Sequence, residues 1–247
     1  MFTHTLSPTI LHLGPLEIRW YGLMYVLAFF ITYFYAKKAI EKGQLKLTVK
    51  ELDDLLGLMV VSMIIGARLF YAIFYSPSYF LAEPWKFFFV WEGGLSFHGG
   101  LAGIVLATLW FARKKKISFF HIADVLCIPI ALGNALGRIG NFINAELYGV
   151  ATTLPWGVVF PGVDGARHPT QLYEAAYNVV IFGILYSLHN KKLKEGMIFG
   201  LFLILYSIFR FSVEFIKDLP SYGPLTMGQW LNIPLFIIGI WLCYRKQ

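Results

Sequence analysis

Apolar residues along this chain gather into seven blocks, at about 18–36, 52–75, 94–112, 118–138, 170–189, 196–216 and 226–243. Each is close to the ~20 residues that a helix needs to cross the hydrocarbon core of a bilayer. The pattern predicts an all-α polytopic membrane protein with seven transmembrane helices, residues 1–247 forming a single integral membrane domain. Two connections stand apart from the rest. Residues 76–94, SPSYFLAEPWKFFFVWEGG, are irregular and carry Trp85, Phe87, Phe88, Phe89 and Trp91. They read as an interfacial arm lying on the membrane surface, or else as an ordinary aromatic belt. Residues 139–169 contain PWGVVFPGVDGARHP, whose turn residues predict a small extramembrane lobe between spans four and five.

Charge then orients the spans. Lys37, Lys38, Lys42, Lys46 and Lys50 follow the first block, Arg113 to Lys116 the third, Lys191, Lys192 and Lys194 the fifth, and Arg245 and Lys246 the seventh. Fourteen of the 21 basic residues thus lie in alternate connections. The excess of lysine and arginine on cytoplasmic loops makes that side the inside, with the N-terminus outside and the C-terminus cytoplasmic. The lobe at 139–169 is then periplasmic or extracellular. A net charge of +7 distributed in this way reports topology, and no nucleic-acid partner is expected.

Composition agrees: 57% of residues are hydrophobic, 18% aromatic and only 14% charged, unlike a soluble domain. The first 17 residues hold no lysine or arginine, so they are not the basic start of a cleaved signal, and the first block reads as a retained span. Cys127 and Cys243 both lie in apolar runs near the expected inner face, which supports neither a disulfide framework nor a metal site. No cofactor is implied.

Seven basic residues remain: Arg19, Arg68, Lys86, Arg138, Arg167, Arg210 and Lys217. All fall toward the outer side. An arginine at mid-membrane costs about 2.5–3.5 kcal/mol on insertion scales, so it faces a cavity or a partner. Arg68, Arg138 and Arg210, on three helices at similar depth, suggest one polar chamber opening toward the outer leaflet; for Arg68 snorkelling to the headgroups is the alternative. Tyr206, Arg210 and Glu214 stand at i, i+4 and i+8 and stack along one helical face, where Glu214 also serves to neutralise Arg210. His98 is flanked by glycines at the outer mouth of a span, and reads as a helix contact or a base. His168 and Glu174 open the fifth block, where Glu174 suits a structural place in the first turns of a helix. Tyr21, at the start of the first span, completes the ring.

The stretch GRIGNFINAELYG, residues 137–149, interrupts this oily surrounding with Arg138, Asn141, Asn144 and Glu146. If it continues as helix, Arg138 and Asn141 project to one side. Asparagine amides both donate and accept, and arginine presents a planar fork that matches phosphate. The segment is built to hold an anionic, oxygen-rich group such as a phospholipid headgroup.

Seven ordered blocks also resemble bacterial prolipoprotein diacylglyceryl transferases: RWYGLMY (19–25), GARLFY (66–71), FHGGLAG (97–103), GRIGNFINAELYG, RHPTQLYE (167–174), YSIFRFSVEF (206–215) and MGQWLNIP (227–234). Ala145 stands where glycine is expected about as readily. The resemblance implies transfer of the diacylglyceryl group of phosphatidylglycerol to the lipobox cysteine thiol of a prolipoprotein signal peptide, leaving a thioether and glycerol phosphate. It implies a bacterial cytoplasmic (inner) membrane enzyme whose site faces the outer leaflet. It marks His98, Arg138, Arg210 and Tyr206 as catalytic, and Arg138, Asn141, Asn144, Glu146, Tyr21, Arg68 and Glu214 as substrate-binding. The competing readings are a transporter or scramblase, a membrane protease and a lipid-binding scaffold. A transporter needs polar residues on both sides of the midplane, whereas Asp53, Asp54 and Asp124 on the inner side read as cap or interface residues. A protease lacks both HExxH and a serine paired with His98.

Overall fold

The computed structural model describes residues 2–14 and 16–245; Lys246, counted among the inner basic residues, lies outside them. In chain order the elements are β1 (Phe2–Thr3), β2 (Thr9–Leu13), β3 (Leu16–Arg19), α1 (Trp20–Glu41), α2 (Val49–Phe74), α3 (Pro77–Ala82), α4 (Phe97–Lys115), α5 (Phe119–Ile143), β4 (Val158–Val159), β5 (Ala166–Arg167), α6 (Thr170–Leu188), α7 (Met197–Glu214), β6 (Ser221–Tyr222), β7 (Leu225–Thr226) and α8 (Met227–Tyr244). Two short 3₁₀ turns, Pro84–Phe88 and Val90–Glu92, follow α3.

Each apolar block has become a helix of at least 18 residues. Five of them, α1, α2, α5, α7 and α8, are long and apolar enough to cross a membrane by length and composition. The 19-residue α4 ends on Arg113, Lys114 and Lys115, and the 19-residue α6 buries Thr170, Gln171, Glu174 and Asn178. These polar groups lower the mean hydropathy of both. Phe30, Phe34, Val61 and Ile65 face outward from α1 and α2. Contiguous apolar surface of this kind is costly in water and at home in lipid, so the chain is a mostly helical, multi-pass membrane protein. The strands, none longer than five residues, lie outside the long helices.

Lys37–Ile122 forms one compact unit; the segments up to Ala36 and from Ala123 form the other, so α1 and α5 each belong partly to both. Within Lys37–Ile122, α2 begins with a capping box. The Thr48 hydroxyl accepts from the Glu51 backbone at 3.2 Å, and the Glu51 carboxylate accepts from the Thr48 backbone at 2.9 Å. Glycines then bring α2 against α4. A Cβ on Gly66 would strike the carbonyl of Gly99, and one on Gly103 the carbonyl of Ser62. Small residues permit this approach where the hydrophobic effect cannot drive helices together. The glycines beside His98 therefore serve a helix contact.

In the other unit, Cys127, Ile128 and Ala131 of α5 pack with Tyr177, Ile181 and Leu185 of α6 and Ile198 of α7. Gly200 and Gly239 let α7 and α8 approach, since a Cβ on either would come within 2.9 Å of the other's carbonyl. Asp124 caps a helix other than its own. Its carboxylate accepts from the Gly196 and Phe199 backbone N–H groups at 2.6 and 2.7 Å, satisfying two orphan donors at the start of α7. Asp124→Ala is expected to lower stability by about 1–2 kcal/mol. Thermal unfolding in detergent checks this, and an unchanged midpoint would refute the capping role.

Outside the long helices, β1 pairs in parallel with β4, and β4 antiparallel with β5. Hairpins β2–β3 and β6–β7 precede α1 and α8. The lobe is shorter than expected, because α5 continues five residues past Arg138. GRIGNF does continue as helix, which leaves Arg138 and Asn141 on one side, joined by a hydrogen bond at 3.2 Å.

Candidate active site

The geometry begins at the close of α5. Gly140 lies against α1, where a Cβ would stand 2.9 Å from the Tyr21 ring. Past Ile143 the chain reverses through left-handed backbone at Ala145 (φ 56°) and Leu147 (φ 61°). The first of these is the position where glycine was expected about as readily, and the strain at Ala145 gives the reason. The reversal is closed by the Asn144 and Glu146 N–H groups, which donate to the Gly140 and Asn141 carbonyls at 3.0 and 3.1 Å. Glu146 is thereby folded back toward the helix. Its carboxylate accepts from Asn141 Nδ2 at 2.7 Å and from Asn144 Nδ2 at 3.3 Å, while Asn141 Oδ1 accepts from Arg138 at 3.2 Å. The start of α6 locks the turn from the far side. Gln171 donates to the Glu146 carbonyl at 2.6 Å and Thr170 to the Leu147 carbonyl at 2.8 Å.

Beside this turn lies a network of charges. Glu174, 0% exposed, accepts from three cations on three segments of the chain. Arg138 Nε of α5 stands 3.0 Å from one carboxylate oxygen, and Arg210 of α7 bonds the other. Lys217, just past α7, places Nζ 3.1 Å from each. Arg210 also reaches Glu214 at 2.8 Å, and Glu214 accepts from the Thr226 hydroxyl at 3.0 Å. A buried carboxylate is tolerable only with such partners. The arginine side chains keep 23% and 15% exposure, against 3% for Lys217. The two arginines are thus partly exposed, whereas Glu174 and Lys217 are buried. Burial, with the two neighbouring guanidinium groups, pushes the Lys217 ammonium down to about 8 in spite of Glu174.

The structure thus brings together Arg138, Asn141, Asn144, Glu146, Arg210 and Glu214. Tyr21 and Tyr206 belong to the same unit: Tyr21 pairs hydroxyls with Tyr25 at 3.0 Å, and Tyr206 stacks on Phe202. His98 and Arg68 lie in the Lys37–Ile122 unit. His98 is exposed in the first turn of α4, after the Ser96 cap. Arg68 does not snorkel; it lines a cavity of about 360 Å³ with Tyr71, Tyr79, Phe80 and Glu92, all of its own unit. It is 3% exposed, donates to the carbonyls of Lys86, Phe87, Phe89, Gly93 and Gly94, and lies over the Phe80 ring at 4.8 Å. Its guanidinium is committed to holding the aromatic segment.

Two members of the cluster escaped the sequence reading. In the sequence Glu174 reads as a residue of the first turns of a helix, and Lys217 as one outer cation among seven. The available signal was the polar face Gln171, Glu174, Asn178, at i, i+3 and i+7 of an otherwise apolar helix.

The class is that of a multi-pass helical membrane protein in which two arginines and a lysine gather around one buried carboxylate. More particularly, the chain belongs to the prolipoprotein diacylglyceryl transferase family, whose model matches residues 8–245. Phosphatidylglycerol–prolipoprotein diacylglyceryl transferases from Geobacter sulfurreducens and Bordetella avium are both 46% identical to it, over 97% and 95% of this chain and 94% and 92% of their own. The Cupriavidus pinatubonensis protein of the same name is 42% identical over 98% of this chain and 92% of its own.

Proposed function

We propose that this chain moves the diacylglyceryl group of phosphatidylglycerol onto the thiol of a prolipoprotein lipobox cysteine, the first step of lipoprotein maturation. The observation that carries the reading is the Arg138–Arg210 pair bridged by Glu174. The carbon–sulfur bond forms as the carbon–oxygen bond to phosphate breaks, and the bonding pair departs on oxygen as glycerol phosphate. Negative charge grows on that oxygen in the transition state, where preorganised guanidinium groups act most strongly. Asn141, Asn144 and Glu146 hold the glycerol and ester oxygens, and Tyr21, Tyr206 and Glu214 line or orient the arginines. The nucleophile comes with the peptide. The thiol must lose its proton to attack, and His98, exposed at the start of α4, is the imidazole offered to receive or orient it. Arg68 contributes by fixing the 84–94 segment.

In the membrane, all seven long helices span, with the N-terminus outside, the lobe toward the outer leaflet and the C-terminus in the cytoplasm. The basic clusters in alternate loops support this arrangement. The exposed Leu81, Phe88 and Trp91 of the arm suit the interface of a bacterial inner membrane. The test is purified protein with phosphatidylglycerol and a lipobox peptide, followed by mass. A thioether adduct is expected, reduced at least tenfold in His98→Gln. No adduct would end the transferase reading, and parent rates in the variant would remove His98 from the chemistry.

A further inference from the structure

We infer that Lys217 is a positioning residue of the anion site: its ammonium, paired with Glu174, keeps that carboxylate from neutralising the two arginines, so affinity for a phosphodiester headgroup depends on Lys217 holding its proton. The inference rests on the phosphate-binding role proposed above for Arg138 and Arg210. Three observations carry it. Lys217 Nζ contacts both oxygens of Glu174, the same oxygens that hold the arginines. Its side chain is almost wholly buried, so water screens it little. Its backbone is fixed as well: the Lys217 N–H donates to the Glu214 carbonyl at 3.2 Å, and Val150 N–H donates to the Ile216 carbonyl at 3.0 Å. Gly149 permits that crossing, since a Cβ there would strike the Ile216 carbonyl.

The charge count gives the consequence. Arg138, Arg210 and Lys217 against Glu174, Glu214 and Glu146 leave no net charge when Lys217 is protonated and one net negative charge when it is not, so losing that proton turns the cluster against an anion. The charged groups acting on Lys217 are Arg138 from α5, Glu174 from α6 and Arg210 from α7. Asp218, next in the chain, pairs with Arg167 at 3.2 Å, and Glu146 accepts from Asn141 and Asn144. The arginines stay charged throughout the accessible range, and a phosphodiester stays anionic. Burial and the two guanidinium groups push the Lys217 ammonium down to about 8, which brings its charge within reach of a pH series just above neutrality. Anion binding favours the protonated form, so affinity is full below that pH and falls as pH rises through it.

The experiment measures the Kd of short-chain phosphatidylglycerol for the whole protein in detergent, without peptide, so that no thiol titrates. Between pH 7 and 9.5 the parent Kd is expected to rise about five- to tenfold. Lys217→Arg, permanently charged, is expected to bind at pH 7 and lose that rise. Lys217→Met is expected to bind at pH 7 as weakly as the parent does at 9.5, with no further change. A flat parent profile, or a rise that persists in Lys217→Arg, overturns the inference. Arg138→Ala separates the two ideas. If it leaves Kd at pH 7 unaltered, the phosphate reading itself falls; if it weakens binding while Lys217→Arg keeps the parent rise, only the Lys217 assignment falls. Should Lys217→Met not fold, the arginine variant alone decides.

Discussion

Lysine in place of Arg138 is expected to slow diacylglyceryl transfer by about 10²- to 10³-fold, the usual loss when one preorganised donor to a developing anion is removed. Arg138 reaches two partners at once: Nε stands 3.0 Å from Glu174, and Nη1 donates to Asn141 at 3.2 Å. A rigid fork does this with little loss of side-chain freedom, whereas an ammonium is a point charge on a flexible stem. Lysine would follow the buried Glu174 and abandon Asn141, the link to Glu146. Charge is retained and direction is lost, so the effect should fall mainly on kcat/KM. The fold should survive, because Glu174 keeps Arg210 and Lys217. Transfer within threefold of the parent would show that the site reads charge alone, and the bidentate role of Arg138 would be withdrawn.

Glu174→Ala should act on the fold. The substitution leaves Arg138, Arg210 and Lys217 facing one another around an emptied site. Breaking a buried ion pair by removing one partner costs about 3–5 kcal/mol. Here one carboxylate serves three cations, on α5, α7 and the segment after α7. Glu174→Gln keeps the shape and removes the charge, which separates lost packing from lost compensation. Thermal unfolding in detergent should show both variants well below the parent, and below Asp124→Ala. A Gln variant as stable as the parent would mean that the cations find other anions, and Glu174 would no longer be the hub.

Several features were legible in the residues themselves. The seven apolar blocks became seven long helices, with ends displaced by a few residues where Lys37 and Lys38 extend α1 and where Arg138 continues α5. The i, i+4 spacing of Arg210 and Glu214 anticipated their 2.8 Å pair, because a helix face is set by periodicity alone. Asp124 was legible as a cap, though not as the cap of α7. The partners of Arg68 were not legible, for a definite reason. In the sequence it is one more outer arginine, and its carbonyl partners, 18 to 26 residues further on, belong to a segment without regular pattern.

Hydropathy and loop charge are properties of the chain read one residue after another, and they settle which segments are helical to within a few residues at each end. Pairings between segments distant in the chain leave no such trace. That Glu174 gathers Arg138, Arg210 and Lys217, and that Arg68 serves a loop, came only with the packing of helices. A buried charge is held by whichever partners surround it in space, and no linear spacing names them.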